Sequence, residues 1–484
     1  MPPVSQAVRK EGIHIRPRIS GFRRLLIAMF ALHIFFCFPS CRRERADAAP
    51  MVPIILLSID TLRADHLACY GYGTDTSPSI DGFARESVLF ENAISPSPHT
   101  TPAHISLFTA TTPAVHGRTN ISANEEVYEP LPAGIISAAE VLKAIGYITV
   151  GLHGGGNVDG LCGLNRGFDY YAPVPDESLN SRLANLIQTY RTSTNPFFIF
   201  LHHYACHDPY TKGPKGLRLR FTKGWKDKAT SIVDKIEGLD LFAQKRRRFW
   251  RQFNFTSPAD RERVTALYDG GVLYSDSLFG ETLDVLKREG LYDDALIIVL
   301  SDHGEEFFEH SGRLHSRLFI ETLHVPLLIK FPHKKFGGRR IREEVRTFDL
   351  FPTVFDYLKI KPLPVSFLGL SFLPLILDRG TYNPSIMSFS PRGDRVRFHS
   401  QGLVFAHEPL NSVPYWVFDR KSDPLEKVNL AVKRPELLGQ MEYRSREIKG
   451  EQRRLAFLFR NKSGPRVEID ERVMERLRAL GYVK

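Results

Sequence analysis

The stretch PIILLSID at residues 53–60 decides the fold class, because an unbroken apolar run ends there in a residue that can do chemistry. The same pattern recurs in FFIFLHH at 197–203 and in LIIVLSDH at 296–303. Continuous apolar runs of this length are typical of strands buried on both faces of a parallel sheet. Polar residues at the carboxyl ends of such strands meet at one edge of the sheet. We therefore expect an α/β fold with one polar crevice.

Helical patterns separate these strands. Ser137 and Glu140 have the spacing of a capping box, and Gly146 follows the apolar face as a stop signal. The periodic pattern at 261–289 predicts a long helix that ends at Gly290.

The chain changes character after about residue 380. Short strand patterns and a charged helical pattern follow, at 387–391, 402–407, 415–418 and 434–459. We expect three parts: a targeting segment at 1–50, a catalytic domain at 51–380 with a basic insert at 212–251, and a C-terminal α+β subdomain with a helical tail at 381–484.

Charge is concentrated in two places. The 484 residues include 65 Lys and Arg against 54 Asp and Glu, a formal net charge of +11, and 43% of them are hydrophobic. This composition excludes a disordered chain and a small disulfide scaffold. Residues 1–50 carry a net +6 and residues 212–251 a net +9, which leaves −4 for the rest. The charge therefore does not predict a nucleic-acid partner.

The N-terminal segment has the features of an export signal. Two arginines at 23–24 precede an apolar run at 25–38, which is shorter than the ~20 residues of a membrane span. FPSC at 38–41 is similar to a lipoprotein cleavage box with Cys41 lipidated, and small residues at 46–49 offer another cleavage site. An uncleaved anchor is the alternative. We expect export from the cytoplasm, as a periplasmic or membrane-anchored lipoprotein or as a secreted protein.

Nine motifs spread over residues 51–484 resemble those of the sulfatases, a branch of the alkaline-phosphatase-like superfamily. In the family's order they are IDTLRADHLACYGY at 59–72, TTPAHISLFTA at 100–110, GLNRGFDYY at 163–171, HDPYT at 207–211, GLYDDALIIVLSDHGEEFFEH at 290–310, ETLHVPLLIKFP at 321–332, DLFPTVFDYL at 349–358, VFDRKSDPLEKVNLA at 417–431 and LRALGYV at 477–483. The resemblance implies a mixed, mainly parallel sheet between helical layers and a small C-terminal sheet.

The resemblance also implies one divalent cation at the strand ends. By motif position its ligands are Asp60, Asp302 and His303, and the Thr100 hydroxyl completes the set. Ca²⁺ or Mg²⁺ is the first expectation, with Mn²⁺ or Zn²⁺ as alternatives. Thr61 stands where many sulfatases have a second aspartate. This departure, together with the Asp-His pair, is similar to phosphonate-hydrolase-like and phosphoesterase-like relatives.

The nucleophile motif departs further from the family. In sulfatases the Cys or Ser of a C/S-x-P-S/A-R motif is oxidised to formylglycine, whereas this chain has TTPAH at 100–104. We therefore do not expect formylglycine. A metal-bound Thr100 alkoxide is still a competent nucleophile. His104 replaces the usual arginine, so this candidate catalytic residue is expected to bind the anion less strongly. A degenerate, inactive site is the alternative.

Two further histidines complete the candidate catalytic set. His207 occupies the position of the family's loop histidine and is expected to donate a proton to the leaving group. His315 lies near the position of an anion contact. Lys143 and His153 are expected to be surface residues.

The basic insert at 212–251 begins one residue after the HDPYT motif. It could act as a lid that steers an anionic substrate, as an anchor on acidic lipid, or simply as a solvated amphipathic helix. Trp225 and Trp250 favour a contacting surface.

These features lead to three functional hypotheses. The first is a sulfatase-family hydrolase of sulfate or related esters that uses one divalent cation and Thr100. The second is a phosphoester hydrolase or phosphotransferase with a phospho-Thr100 intermediate. The third is a non-catalytic protein that binds sulfated or phosphorylated glycans. The expected partners are an anionic ester substrate and, through the insert, a membrane surface.

Overall fold

The structure is a computed structural model that describes residues 51–120, 127–128, 131–239, 241–254, 256–390, 395–400, 402–408, 414–460 and 467–468. The predicted targeting segment, including Cys41, lies outside these residues. Among the residues described, no helix is long and apolar enough to cross a membrane.

A nine-stranded, mainly parallel sheet forms the centre of the molecule. The described residues form the following strands, nine of which belong to this sheet: β1 Ile54–Ile59, β2 Val88–Ile94, β3 Val127–Tyr128, β4 Ile148–His153, β5 Tyr170–Pro173, β6 Phe197–His203, β7 Leu296–Leu300, β8 Glu306–Phe307, β9 Arg313–Leu314, β10 His324–Val325, β11 Leu327–Lys330, β12 Arg340–Arg346, β13 Met387–Phe389, β14 Val396–Ser400, β15 Leu403–His407, β16 Tyr415–Asp419 and β17 Val467–Glu468. The central order is β10-β2-β11-β7-β1-β6-β4-β5, and β12 pairs with β2. Strands β10 and β11 run antiparallel to their neighbours.

Strand β1 lies between β6 and β7 and runs parallel to both. Its side chains alternate between two cores, as the pleat of a strand requires. Ile55 and Leu57 belong to one hydrophobic cluster, and Ile54 and Leu56 belong to the cluster on the other face. Both faces are buried, which explains why the sequence shows an unbroken apolar run rather than alternation.

Helices pack on both faces of the sheet, and a long helix packs against the C-terminal strands. They are α1 Pro78–Ala84, α2 Thr100–Thr109, α3 Pro113–His116, α4 Ala138–Ala144, α5 Leu179–Thr189, α6 Lys215–Arg218, α7 Lys226–Glu237, α8 Phe242–Trp250, α9 Pro258–Arg288, α10 Ile320–Leu323, α11 Leu350–Tyr357, α12 Leu373–Ile376 and α13 Pro435–Arg460. The predicted capping box of Ser137 and Glu140 is confirmed at the start of α4. Helix α9 confirms the long periodic pattern, and Gly290 follows it with a left-handed φ of 73°.

A four-stranded antiparallel sheet, β13-β14-β15-β16, confirms the predicted C-terminal strands and adds β14. The buried ion pair of Arg397 and Glu426 joins this region to the main body, because Glu426 also accepts a hydrogen bond from the backbone of Ile320. A domain boundary near residue 380 stays a prediction.

The basic insert folds into helices α6, α7 and α8. Trp250 is only 4% exposed and packs edge-on against Phe249, while Trp225 is half-buried beneath Arg263. Trp250 is therefore not on an exposed surface, whereas Trp225 is only partly buried. The contact surface that the two tryptophans favour stays a prediction.

Candidate active site

Three parallel strands deliver chemically active residues to one edge of the sheet. Asp60 follows β1, His202 and His203 end β6, and Asp302 and His303 follow β7. The register aligns the three strand ends, since Ile59 pairs with His203 and Ser58 pairs with both His202 and Leu300. The backbone confirms the prediction that polar residues converge at the ends of these strands.

The donor atoms at this edge fit a divalent cation. A ligand atom from each of Asp60, Asp302 and His303 lies within 4.8 Å of the others. Asp60 Oδ1 and Asp302 Oδ2 are buried and have no hydrogen-bond partner among the residues that the structure describes. His303 Nδ1 lies 3.0 Å from the Gly304 carbonyl oxygen, which can only accept, so Nε2 keeps its lone pair. Two unsatisfied carboxylate oxygens and one imidazole form a suitable donor set for a hard or intermediate cation.

The electrostatics of the two carboxylates also favour a cation at this position. Burial and the negative charge of Asp60 raise the pKa of Asp302. Burial also acts to raise the pKa of Asp60, but the contact with His202 and the charges of His207 and His303 lower it overall. Two buried carboxylates therefore compete for positive charge in one space, which a cation would supply.

Thr100 is the first residue of α2 and faces the carboxylates. Its Oγ1 lies 3.2 Å from Asp60 Oδ2 and 3.3 Å from His303 Nε2. The side chain thus sits at the N-terminal, partially positive end of a ten-residue helix. The structure brings together all four residues for which the sequence predicts metal binding, although their roles as ligands stay a prediction.

His104 lies one helical turn after Thr100 and points beneath the site. Its Nδ1 is 2.9 Å from the Thr100 carbonyl oxygen, so Nδ1 carries the proton and Nε2 accepts from Ser58 Oγ at 2.9 Å. Burial and the neighbouring His202 lower the pKa of His104 to about 3. A neutral, hydrogen-bonded ring favours positioning of the Thr100 backbone over the anion contact that an arginine makes. A catalytic role for His104 stays a prediction.

His207 is placed to exchange protons at the site. Its Nδ1 lies 2.9 Å from the Asp208 carbonyl oxygen and 3.3 Å from Asp208 Oδ1, and its Nε2 lies 3.9 Å from Asp60 Oδ1. The Nδ1 proton is held by Asp208, so Nε2 is the nitrogen available for proton transfer. Asp208 would balance the positive charge of a protonated ring.

His315 stands on the other side of His303. The two ring centroids are 4.5 Å apart, and His315 Nδ1 lies 3.3 Å from Glu305 Oε1. Burial and the charge of His303 lower the pKa of His315 well below its usual value. A neutral ring can contact an ester oxygen as a hydrogen-bond donor, but it supplies no full charge.

The structure also shows what the sequence reasoning missed. His202 lies 3.5 Å from Asp60 and belongs to a second cluster of metal-ligating types with His104 and Asp302. The apolar run before His202 predicts that this residue lies at a strand end, but no motif in the sequence assigns a role to His202. Glu305 is buried beside the site, and its pKa is raised well above the usual value by burial and by Asp208.

The two expected surface residues behave differently. Lys143 is exposed and forms an ion pair of 2.7 Å with Asp169. His153 is fully buried at the end of β4 and stacks on Tyr171 with ring centroids 4.4 Å apart, so its surface assignment is wrong. The reason is that the central parallel strands end inside the molecule, as β1 and β6 do.

Residues 53–360 match the family model described as Sulfatase. The chain belongs to the sulfatase family. It is 28% identical to Arylsulfatase K of Bos taurus over 200 residues, which are 39% of this chain and 37% of that protein. The match to the Ulvan-active sulfatase of Formosa agariphila is 24% identical over 455 residues and covers 87% of this chain and 86% of the relative.

Comparison with solved structures confirms the predicted fold class. The phosphonate monoester hydrolase of Agrobacterium radiobacter superposes with a TM-score of 0.60 at 18% identity, covering 84% of this chain and 96% of that one. The match to Arylsulfatase K spans little more than a third of the relative's length. These likenesses establish the family and the fold of this sulfatase-family chain, whereas its substrate has to be argued from the site.

Proposed function

We propose that this protein hydrolyses sulfate esters, or closely related esters, with one divalent cation and with Thr100 as the nucleophile. One observation carries the proposal. The Thr100 hydroxyl lies 3.2 Å from Asp60 and 3.3 Å from His303, beside two buried carboxylate oxygens that lack a hydrogen-bond partner.

A cation held by Asp60, Asp302 and His303 would lower the pKa of the Thr100 hydroxyl and polarise the ester. Thr100 loses its hydroxyl proton to solvent, and its Oγ1 then forms a bond to sulfur while the bond from sulfur to the leaving oxygen breaks. His207 Nε2 gives its proton to the leaving oxygen, and Asp208 holds the ring in place. Water next attacks the sulfur of the Thr100 ester and gives a proton to His207 while the bond from sulfur to Thr100 Oγ1 breaks, which releases sulfate and returns Thr100 as the alkoxide.

Threonine also explains why formylglycine chemistry does not fit this chain. Cβ of Thr100 carries a methyl group, so oxidation of its hydroxyl would give a ketone rather than the aldehyde of formylglycine. A direct attack by the hydroxyl oxygen needs no such modification. The contacts of Thr100 with Asp60 and His303 support such a direct attack.

A phosphoester hydrolase or phosphotransferase with a phospho-Thr100 intermediate is the second candidate. The observation in its favour is the nucleophile itself together with the Asp302-His303 pair, because neither needs a modified residue. Phosphoryl transfer would use the same residues, with Thr100 as the nucleophile and His315 as a hydrogen-bond donor to the phosphoryl oxygens.

The test uses protein stripped of metal and reloaded with Mg²⁺, Ca²⁺, Mn²⁺ or Zn²⁺. Its substrates are 4-nitrophenyl sulfate, 4-nitrophenyl phosphate and bis(4-nitrophenyl) phosphate. We expect the sulfate to be the best substrate, Thr100→Ser to retain activity, and Thr100→Ala to lose a factor of roughly 10³ or more. Preference for the phosphodiester would replace the first candidate with the second. Full turnover by Thr100→Ala would refute the role of Thr100 in both.

We further propose that the natural substrate is a sulfated carbohydrate and that the protein works outside the cytoplasm. The first part is supported by the similarity to the Ulvan-active sulfatase of Formosa agariphila, which covers 87% of this chain. The second part rests on the N-terminal sequence features. Mass spectrometry of the mature N-terminus tests export, and it distinguishes a lipidated Cys41 from cleavage near residue 49.

A further inference from the structure

A cationic groove lies beside the candidate active site. It has a volume of about 600 Å³, within the usual range of small-molecule sites. Its lining residues are Ala243, Arg246, Arg247, Trp250, Arg251, Phe253, Arg313 and Leu314, which include four arginines and no acidic residue. Trp250 and Phe253 are buried and give the groove an apolar base.

The arginines differ in how far their charge is already balanced. Arg246 Nε lies 3.0 Å from Asp208 Oδ2, and the same oxygen accepts a hydrogen bond of 3.3 Å from Trp250 Nε1. Arg247 and Arg251 are exposed, and neither side chain forms an ion pair within the described part of the chain. The groove therefore presents more positive charge than the protein neutralises.

Arg313 also lines the groove, and its guanidinium lies over the Trp250 ring at 5.3 Å. Burial and the positive charge of Arg246 lower the pKa of Arg313, whereas Asp208 acts to raise it. An anionic ligand in the groove would be attracted by both guanidinium groups.

The groove is connected to the reacting groups through Asp208. One carboxylate contacts both Arg246 in the groove and His207, the candidate proton donor to the leaving group. Phe242, at the start of the same helix α8, has its ring 6.1 Å from the His207 ring. Asp208 thus links the groove to His207, the residue proposed to protonate the leaving group.

We propose that this groove binds a second anionic group, a sulfate or carboxylate, on the leaving-group part of the same substrate molecule. The substrate class is then a multiply charged glycan rather than an isolated sulfate monoester. This inference rests on the proposed function for its kinetic test, although binding can be measured without turnover. The concave shape and buried aromatic base favour a small ligand over a lipid surface, which needs exposed apolar side chains.

The kinetic test compares two substrates that differ by one charged group. They are 6-O-sulfated N-acetylglucosamine and the disaccharide in which a uronic acid is joined to it. The variants are R247S/R251S, which removes two exposed groove arginines, and R248S as the matched control. Arg248 is exposed on the same helix but does not line the groove.

We expect R247S/R251S to raise KM for the disaccharide about tenfold, since each exposed arginine contributes a modest ionic contact. Its kcat for the disaccharide and its KM for the monosaccharide should stay within twofold. R248S should change neither substrate by more than twofold. Equal effects of R248S and R247S/R251S, or an equal effect on both sugars, would overturn the proposal because they indicate general steering by charge.

Binding of the disaccharide to the inactive T100A protein, measured by calorimetry, separates this proposal from the proposed function. If the wild-type protein turns over neither sugar, the hydrolase proposal for sugar sulfates fails. The groove proposal stands if T100A binds the disaccharide and R247S/R251S weakens that binding about tenfold. Absence of binding overturns it. Loss of binding to phosphatidylglycerol vesicles in R247S/R251S, with an unchanged KM, would also overturn it in favour of a lipid surface.

Discussion

Replacement of Asp302 by asparagine should stabilise the metal-free protein while it removes metal binding. In the absence of a cation, Asp302 and Asp60 are two buried carboxylates in one space. Asparagine keeps an oxygen that can accept the hydrogen bonds from the backbone N–H groups of Thr61 and His303. It removes only the second negative charge, so the repulsion is relieved without leaving these donors unsatisfied.

The size of the effect follows from the pKa of Asp302. Burial and the charge of Asp60 raise this pKa from 3.8 to about 7. At 1.36 kcal/mol per pH unit, the difference corresponds to roughly 4 kcal/mol above neutral pH. Because histidines lower the pKa of Asp60, part of this repulsion is already offset, and we expect roughly 2–4 kcal/mol. The melting temperature should rise by about 2–5 °C.

The sign of the pH dependence is fixed by the direction of this change. A carboxyl group whose pKa is raised on folding binds more protons in the folded than in the unfolded protein. The loss of stability that Asp302 causes in the metal-free wild type should therefore appear as the pH rises from about 4 to about 7, so the advantage of Asp302→Asn over the wild type should grow across this range.

The assay is urea unfolding in EDTA at pH 8 and at pH 4, repeated with a saturating divalent cation. A cation at a hundred times its Kd should stabilise the wild type by roughly 2.7 kcal/mol and the variant by far less. Asp176→Asn is the control, because Lys212 lowers the pKa of that buried carboxyl despite its burial and its loss should destabilise. A metal-free Asp302→Asn protein that is less stable than the wild type at pH 8 would refute the reasoning.

Three further outcomes test other contacts of the structure. His207→Gln should slow hydrolysis of alkyl esters roughly a hundredfold but of 4-nitrophenyl esters less than tenfold, since nitrophenolate leaves without a proton; equal losses in steady-state assays would contradict a donor role. Ser58→Ala should cost roughly 1–3 kcal/mol in urea unfolding, because it leaves the buried Nε2 of His104 without its donor. Glu426→Ala should cost roughly 3–5 kcal/mol, because Arg397 remains buried without its partner, and an unchanged melting curve would count against this.

The sequence predicted the edge of the sheet where the site lies because strand periodicity acts over short distances. The apolar runs before Asp60, His202 and Asp302 are local signals, and parallel pairing then places their ends together. The direction in which a site side chain points could not be predicted from the sequence. His104 stands in the nucleophile motif, but helical geometry places it one turn after Thr100, where it contacts Ser58 and lies 3.7 Å from Asp302.

Contacts between distant segments gave no signal at all. Arg246 is one of several similar arginines in the insert, and only the packing of α8 selects it to meet Asp208. His153 was expected at the surface because the family's surrounding motif is absent, yet β4 ends beside β5 within the core. In both positions burial depends on which elements neighbour each other, and residue type alone does not determine that.

The distribution of charge implies an order of binding events. The base of the site contains the carboxylates of Asp60 and Asp302, while the histidines beside them, His104 and His315, have pKa values lowered by burial. A sulfate ester that arrives before the cation would meet net negative charge at short range. The arginines of the insert can attract the substrate toward the groove, but they cannot neutralise the base of the site. If the proposed cation binds at Asp60 and Asp302, we therefore expect it to bind before the ester, and the proposed groove would then orient the ester beside a site whose negative charge is balanced.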